Sequence, residues 1–153
     1  MIDLSLFRFS HPVEIRFADL DLLGHVNHAK YFTYMEMTRV VYVRDVLGWT
    51  SGRDRQGAIM ARIDCDYRVP LTLGDVIRVY ARVSRVGSKS FDVEHVIVRE
   101  SDGVEAARGL GVLVAYDYQR QESIRVPEVW REKMIAYEPG LRGNSEFPVP
   151  SSE

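Results

Sequence analysis

The chain has 153 residues and a mass of 17.6 kDa, a length that suits one domain and is too short for two ordinary ones. Its hydrophobic (46%), charged (27%) and aromatic (10%) fractions are typical of a globular protein and exclude disordered, collagen-like and low-complexity classes. The 20 basic and 22 acidic residues give a formal net charge of -2, so no global positive field attracts nucleic acid or an anionic membrane.

Cysteine and apolar content narrow the expected location of the protein. The single cysteine, Cys65, excludes an intramolecular disulfide framework and a cysteine-built zinc site, and it suits a reducing compartment. No uncharged run exceeds eight residues, whereas a membrane span needs about 20 apolar residues. The first ten residues lack the basic region and apolar block of a secretory signal. We therefore expect a soluble, cytoplasmic protein without membrane insertion.

The first half of the chain predicts one strand and one long helix. Residues 13–17 alternate apolar and polar types, which predicts a strand whose apolar face carries Val13, Ile15 and Phe17. Residues 18–28 then concentrate two acids, two histidines, an asparagine and a glycine without clear periodicity. Residues 29–47 predict a helix, because neither Pro nor Gly interrupts them, Asn27 is a good N-cap and Gly48 suits a helix C-terminus. Since its apolar residues spread widely, we expect protein around most of this helix.

The second half predicts four strands joined by turns, with no helix between them. The strands are predicted at residues 58–67, 75–86, 89–100 and 104–117, with the last one central in the sheet. Residues 128–136 predict a short surface helix after Pro127. A strand, a long helix and four more strands indicate an α+β fold in which an antiparallel sheet wraps one helix.

The domain boundary is predicted near residue 138. We assign residues 1–138 to one domain and expect residues 139–153, which are rich in Pro, Gly, Asn and Ser, to form a flexible C-terminal tail. The sequence has no Gly-x-Gly-x-x-Gly element and no phosphate-binding loop. The sequence therefore lacks the motifs that usually support a nucleotide-dependent oxidoreductase or a kinase.

A carboxylate after a strand and before a helix start suits acyl-transfer chemistry, and the segment from Asp19 to Tyr31 contains both parts. The carboxylate can act as a base or a nucleophile. The free N–H groups and the positive dipole end of the helix can stabilise an oxyanion. From spacing alone, the commoner alternative is that Asp19, Asp21 and Asn27 only cap turns and the helix.

A resemblance to a known family favours the catalytic interpretation. Residues 16–39, RFADLDLLGHVNHAKYFTYMEMTR, resemble the signature of hot-dog-fold acyl-CoA thioesterases of the 4-hydroxybenzoyl-CoA thioesterase type. In that family Asp-x-Asp-x-x-Gly ends the first strand and a Tyr-bearing helix follows. Residues 67–75 and 87–91 resemble further segments of the family. The resemblance implies a hot-dog fold, namely a five-stranded antiparallel sheet around one long central helix, and sites between two subunits of a homodimer or homotetramer.

The resemblance also implies site residues in the segment before and at the helix start. Asp21 matches the catalytic aspartate of the family, and the backbone N–H near His28 matches the group that polarises the thioester carbonyl. His25 is a further catalytic candidate that would orient Asp21 or a water molecule, and a structural hydrogen bond on the Asn27 side is the alternative. Asn27 and Tyr31, within the same motif, are substrate-binding candidates. The His-Val-Asn element also resembles plant acyl-carrier-protein thioesterases, whose catalytic aspartate lies four residues before the histidine, as Asp21 does before His25.

The nucleotide end of coenzyme A carries phosphates, which basic and hydroxyl side chains at a turn recognise. Lys89 and Ser90 match the nucleotide-contacting turn of the family, and Arg125 is a weaker candidate. For each of the three, a solvated surface group is the alternative. No cofactor is expected, because the coenzyme A moiety belongs to the substrate. No metal is expected either, because no Cys and His cluster has metal-ligand spacing.

Five other chemically notable side chains are predicted to be structural. Asp19 is expected to shape the loop by accepting backbone N–H bonds. Glu36 and Arg39, three residues apart, are expected to pair with each other or with a facing subunit. Cys65 is predicted to be a buried core thiol, and His95 a core or interface histidine with satisfied hydrogen bonds.

Together these features predict an enzyme that hydrolyses an acyl-CoA thioester to a free carboxylic acid and coenzyme A. Asp21 would be its base or nucleophile, and the helix start its oxyanion site. Leu22, in place of the proline of 4-hydroxybenzoyl enzymes, favours a general or long-chain acyl group over an aromatic one. The alternatives are hydrolysis on acyl carrier protein and a non-catalytic acyl-thioester-binding module. A hydratase has less support, because the Asp and His pair for that reaction lacks its expected context.

Overall fold

The structure is a computed structural model that describes residues 3–49 and 56–141. Within these residues there are five long strands, two two-residue strands, one 3₁₀ turn and two α-helices. In chain order they are β1 (Phe9–Val13), the 3₁₀ turn (Phe17–Asp19), α1 (His28–Leu47), β2 (Gln56–Ile63), β3 (Asp66–Tyr67), β4 (Ile77–Val86), β5 (Ser90–Arg99), β6 (Val104–Asp117), β7 (Glu122–Ser123) and α2 (Glu128–Tyr137).

All pairs of neighbouring strands in the sheet are antiparallel. The five long strands lie in the order β1-β4-β5-β6-β2, and the short strands β3 and β7 both pair with β6. Register shifts interrupt β2 between Met60 and Arg62 and β4 between Val83 and Arg85. Bulges of this kind increase local twist and bend the strand. The sheet thereby curls around α1, which is the predicted α+β architecture.

The long central helix has the predicted limits to within one residue. The Asn27 side chain accepts a hydrogen bond from the Ala29 N–H at 2.9 Å and caps the start of α1. Gly48 adopts the left-handed conformation, with φ of 68°, at the C-terminus, where a glycine carries no steric penalty. Across the described residues, no helix is long and apolar enough to span a membrane.

The core consists of two clusters between α1 and the sheet. One packs Tyr31, Tyr34 and Met35 against the sheet, and the other packs the second half of α1 against the sheet and α2. His95 is fully buried, which confirms its prediction as a core residue. The prediction that its hydrogen bonds are satisfied is wrong, because neither ring nitrogen has a partner among the described residues. Cys65 is only half-buried, so the prediction of a fully buried thiol is wrong. Its side chain packs at the edge of the first cluster and not inside it.

Three strand predictions need correction. β1 lies at Phe9–Val13, earlier than predicted, and Phe17 is 80% exposed in the 3₁₀ turn although Val13 and Ile15 are buried. The predicted strand at residues 58–67 is two strands, β2 and β3. The middle strand of the sheet is β5, whereas β6 lies next to the edge strand β2. In each case the limits of a strand and its place in the sheet depend on the strand with which it pairs. The alternation of residue types within one segment does not reveal that partner.

Two predictions concern the C-terminal part. The helix α2 at Glu128–Tyr137 confirms the predicted short helix. Glu138, at the predicted domain boundary, is buried and accepts hydrogen bonds from Tyr42 and Val83. Residues 142–153, most of the predicted tail, lie outside the described residues.

Candidate active site

The loop before α1 forms a small closed hairpin. Leu20 and Val26 form an isolated antiparallel bridge, and the Asp21 N–H donates to the His25 carbonyl at 2.8 Å. Gly24 has a φ of 78°, a conformation that glycine adopts without strain. The Val26 N–H donates to the Leu71 carbonyl at 2.8 Å, which ties the hairpin to the rest of the chain. The loop is therefore held in one shape by backbone bonds.

The Asp21 carboxylate is exposed on this hairpin. Its Oδ1 atom accepts hydrogen bonds from the Leu23 N–H at 2.9 Å and the His25 N–H at 3.3 Å. Within residues 3–49 and 56–141, no group donates a hydrogen bond to Oδ2. One oxygen thus fixes the orientation of the carboxylate, while the other is available to a water molecule or a substrate.

The start of α1 offers a free backbone donor seven residues after Asp21. The Ala29 N–H donates to the Asn27 side chain, and the Lys30 N–H donates to the Asn27 carbonyl, both at 2.9 Å. In the part of the chain that the structure describes, the His28 N–H has no acceptor. A donor of this kind, at the positive end of a 20-residue helix, can stabilise a developing oxyanion.

An open groove of about 370 Å³ connects these groups. It brings together four of the predicted site residues, which are Asp21, His25, His28 and Tyr31. Further groove-lining residues, which were not predicted from the sequence, are Val26, Tyr67, Arg68, Val69 and Pro70. Most of them belong to the second segment that resembles the family, residues 67–75, and that resemblance was the available signal.

Tyr67 and Tyr31 form one wall of the groove. The Tyr67 hydroxyl donates to the His28 carbonyl at 2.7 Å, and its ring meets the Tyr31 ring edge to face at a centroid distance of 4.9 Å. Tyr31 is 3% exposed, and burial raises the pKa of its hydroxyl, so it stays protonated at neutral pH. Tyr31 thus packs behind the groove surface. The Asn27 side chain, predicted to bind substrate, is occupied with capping α1.

Asp19 lies two residues before Asp21 in a very different environment. Its carboxylate is buried and accepts hydrogen bonds from the Arg16 N–H (3.0 Å), the Arg16 guanidinium (2.9 Å) and the Tyr34 hydroxyl (2.8 Å). Burial alone would raise the pKa of Asp19, but these hydrogen bonds outweigh it and hold the pKa below its usual value. The Asn27 N–H also donates to the Asp19 carbonyl at 2.8 Å. The predicted loop-shaping role of Asp19 is confirmed.

The predicted nucleotide-contacting residues gather at the other end of β6. Lys89 is exposed, and the Ser90 hydroxyl accepts a hydrogen bond from Arg85 at 3.0 Å. The Val126 N–H donates to the Ser88 carbonyl at 2.9 Å, which places the exposed Arg125 beside this turn.

This basic turn and the groove are far apart within one chain. Ser90 pairs with Val114 of β6, whereas Tyr67 pairs with Ala107. Seven residues of strand separate these positions, which is about 23 Å at 3.3 Å per residue. Within one chain the predicted site residues therefore fall into two groups at different positions along β6.

Metal binding and thiol chemistry find little support among the described residues. Within residues 3–49 and 56–141, no three His, Cys, Asp or Glu side chains cluster closely enough to hold a metal ion. Burial raises the pKa of the Cys65 thiol, which reduces the thiolate fraction that a nucleophile would need. The expectation that the protein needs no metal stays a prediction.

Comparison with known proteins identifies the class and then the family. The curled antiparallel sheet around one long helix is shared with a Pseudomonas aeruginosa protein at a TM-score of 0.82 and 22% identity, over 90% of this chain and 96% of that one. A thioesterase of Thermus thermophilus complexed with coenzyme A and Zn gives a TM-score of 0.73 and 34% identity, over 86% and 94% of the two chains.

Sequence comparison agrees with this class of hot-dog thioesterases. The long-chain acyl-CoA thioesterase FadM of Escherichia coli is 26% identical over 124 residues, which are 80% of this chain and 93% of that one. The family model of the Thioesterase-like superfamily matches residues 15–134. The chain belongs to this family. The predicted hot-dog fold and thioesterase class are therefore confirmed.

Proposed function

We propose that this protein hydrolyses acyl-CoA thioesters to free carboxylic acids and coenzyme A, with Asp21 as the catalytic carboxylate. One observation carries the proposal: Asp21, whose Oδ2 atom accepts no hydrogen bond from the described residues, and His28, whose N–H has no acceptor among them, line the same open groove. A carboxylate and an oxyanion donor are the two groups that thioester hydrolysis requires. The relative FadM, which is named a long-chain acyl-CoA thioesterase, supports the substrate class.

The reaction needs the carbonyl oxygen of the thioester at the His28 N–H and the carbonyl carbon within reach of Asp21. As a general base, Asp21 takes a proton from water while the water oxygen bonds to the carbonyl carbon. The C–S bond then breaks, and the coenzyme A thiolate leaves and takes up a proton. As a nucleophile, Asp21 instead bonds to the carbonyl carbon, expels the thiolate and forms a mixed anhydride that water hydrolyses. Both routes place the oxyanion at the helix start.

His25 and the groove wall have positioning roles in this proposal. The His25 N–H helps to fix the Asp21 carboxylate, and its side chain lines the groove. Tyr67 holds the first turn of α1 through the His28 carbonyl. Arg68, exposed on the groove and 3.7 Å from Glu105, offers a cation to an anionic part of the substrate.

We further propose that the nucleotide end of coenzyme A binds at Lys89, Ser90 and Arg125 of a second chain. Within one chain the two groups of residues lie seven residues apart along β6, about 23 Å of strand. The resemblance to thioesterases whose sites lie between two subunits supports placing the two groups on different chains. Exposed apolar side chains at the loop before α1, namely Phe17 (80%), Leu22 (105%) and Leu23 (80%), favour contact with a partner chain. The oligomer, whether dimer or tetramer, and the cytoplasmic location stay predictions.

The decisive experiment compares the wild type with Asp21→Asn in the release of free thiol from acyl-CoA substrates of short, medium, long and aromatic type. Asparagine keeps the oxygen that accepts the Leu23 and His25 N–H bonds, so the loop shape is preserved. We expect a loss of at least about 100-fold in kcat, within the usual contribution of a general base. Asp45→Asn, an exposed carboxylate at the far end of α1, is the matched control and should retain full turnover.

Each other outcome has a definite meaning. Asp21→Asn turning over at the wild-type rate would contradict the assignment of Asp21 while leaving the thioesterase class intact. A folded wild-type protein that releases no thiol from any member of the panel would contradict acyl-CoA hydrolysis. It would move the interpretation to acyl-carrier-protein substrates or to a non-catalytic binding module.

A further inference from the structure

A second cavity, separate from the groove, lies between α1, α2 and the sheet. It has a volume of about 270 Å³ and shares no lining residue with the groove. Its walls are mostly apolar or aromatic and include Trp49, Met60, Phe91, Leu113 and Trp130. Nothing in the proposed hydrolysis uses these residues.

One charged side chain, Arg39, is built into the wall of this cavity. Arg39 is 9% exposed, and its Nη1 atom is buried and has no hydrogen-bond partner among the described residues. Its Nη2 atom lies 4.0 Å from the Glu36 carboxylate, beyond hydrogen-bond distance. The Glu36 side chain is 67% exposed at the cavity, so water screens this ion pair.

The surroundings of Arg39 do not neutralise its charge. His95 is fully buried, and neither ring nitrogen has a partner among the described residues. Burial, with the nearby Arg39 charge as a second cause, lowers the pKa of His95 to about 3, so this histidine is neutral. An arginine remains protonated at neutral pH even where burial lowers its pKa. A buried cation without a close anion is costly, which indicates that an anion completes the site.

We propose that this cavity binds a small carboxylate with an apolar or aromatic body, and that Arg39 recognises the carboxylate. A guanidinium matches a carboxylate through two parallel hydrogen bonds. The cavity volume of about 270 Å³ lies just below the range of roughly 300–1,000 Å³ that is usual for small-molecule sites, which suits a small ligand. The apolar walls suit the body of such a ligand. A carboxylic acid is also the product of the proposed hydrolysis; that connection rests on the proposed function, whereas the binding itself does not.

The two tryptophans of the chain provide a direct measurement, because both line this cavity. We would titrate octanoate and 1-octanol, which share an alkyl chain and differ in charge, and follow tryptophan fluorescence. We expect a saturable change with octanoate and at least about tenfold weaker binding of 1-octanol, a difference of about 1.4 kcal/mol. No thioester is present in this assay, so its result is independent of turnover.

Three variants make the test specific for Arg39. Arg39→Met should bind octanoate and 1-octanol about equally, and it should fold, because an apolar side chain replaces an unpaired buried charge. Arg39→Lys keeps the charge and should keep part of the preference for octanoate. Glu36→Gln removes the competing carboxylate and should bind octanoate severalfold more tightly.

Several results would overturn the proposal. They are equal binding of octanoate and 1-octanol by the wild type, a preference for octanoate that persists in Arg39→Met, and the absence of any saturable fluorescence change in the wild type. Thermal unfolding of each variant verifies that a lost signal reports lost binding and not lost structure. Wild-type thiol release measured separately distinguishes failure of this proposal from failure of the proposed hydrolysis.

Discussion

Replacing Asp19 by alanine should destabilise the fold, even though Asp19 takes no part in the proposed chemistry. The side chain is fully buried and joins the 3₁₀ turn to α1 through the Tyr34 hydroxyl. It also accepts two hydrogen bonds from Arg16. Alanine removes all three acceptor contacts at once.

The loss of stability in Asp19→Ala depends on whether the donors that lose their acceptor are buried or exposed to water. Tyr34 is 2% exposed, so its hydroxyl loses its partner away from water, which costs about 1–3 kcal/mol. The Arg16 side chain is 64% exposed, so water replaces most of that interaction and its loss adds little. We therefore expect the free energy of unfolding to fall by about 1–3 kcal/mol at neutral pH, nearly all of it from the orphaned Tyr34 hydroxyl.

Urea unfolding of the wild type, Asp19→Ala and Asp21→Ala measures this difference. Asp21 is exposed, so its alanine variant should lose less than about 1 kcal/mol. The pKa of Asp19 is lower in the folded chain than its ordinary value of 3.8. Its contribution is therefore complete above about pH 4 and is lost as the pH falls through the folded pKa.

The gap between wild type and Asp19→Ala should shrink in acid for the same reason. A loss below about 1 kcal/mol at neutral pH would refute the reasoning, since an orphaned buried hydroxyl alone costs that much. A gap that does not change on acidification would refute the assignment of an ionised, hydrogen-bonded carboxylate.

Two further predictions test the packing of β6 and the buried carboxylate after α2. Gly109→Ala should lower the free energy of unfolding in urea by about 1–3 kcal/mol, because a Cβ would lie 2.5 Å from the Asp64 carbonyl oxygen. The control Gly74→Ala, whose Cβ would have nothing within 4 Å, should leave the stability nearly unchanged. Equal losses in the two variants would contradict this prediction. Burial raises the pKa of Glu138, so the folded chain binds more protons and wild-type stability falls as the pH rises above about 4.5. Glu138→Gln keeps the oxygen that accepts a hydrogen bond from Tyr42 but cannot titrate. In thermal unfolding at several pH values, its stability should fall less than that of the wild type as the pH rises. A pH profile identical to that of the wild type would contradict this prediction.

Local signals in the sequence were sufficient for the long helix and for the core of the site. The cap at Asn27 and the glycine at position 48 lie next to the helix they delimit, so sequence alone located α1. Asp21, His25 and His28 lie in one short segment, and the hairpin that joins them closes through its own backbone bonds. These residues therefore line one groove, and their catalytic roles stay predictions.

Features that depend on distant pairing were predicted less well. Tyr67 and Arg68 reach the groove because β3 pairs with the Ala107 region of β6, a contact between residues about 40 positions apart. The order of β5 and β6 in the sheet likewise depends on the partner that each strand finds. Arg39 was expected to pair with Glu36 or a facing subunit. Only the folded structure shows that the Arg39–Glu36 distance is 4.0 Å and that the Nη1 atom of Arg39 has no hydrogen-bond partner among the described residues.

The misplaced first strand bears directly on the site. On a strand, residues two apart share a face, so a strand continuing to Asp21 would give Asp19 and Asp21 the same surroundings. Because β1 ends at Val13 and a 3₁₀ turn follows, Asp19 points into the core while Asp21 lies on the exposed hairpin. Asp19 uses its hydrogen-bonding capacity to hold the loop, and the free oxygen belongs to Asp21. The end of β1 at Val13 therefore separates the roles of the two aspartates. Asp19 stabilises the loop, and Asp21 is the catalytic candidate.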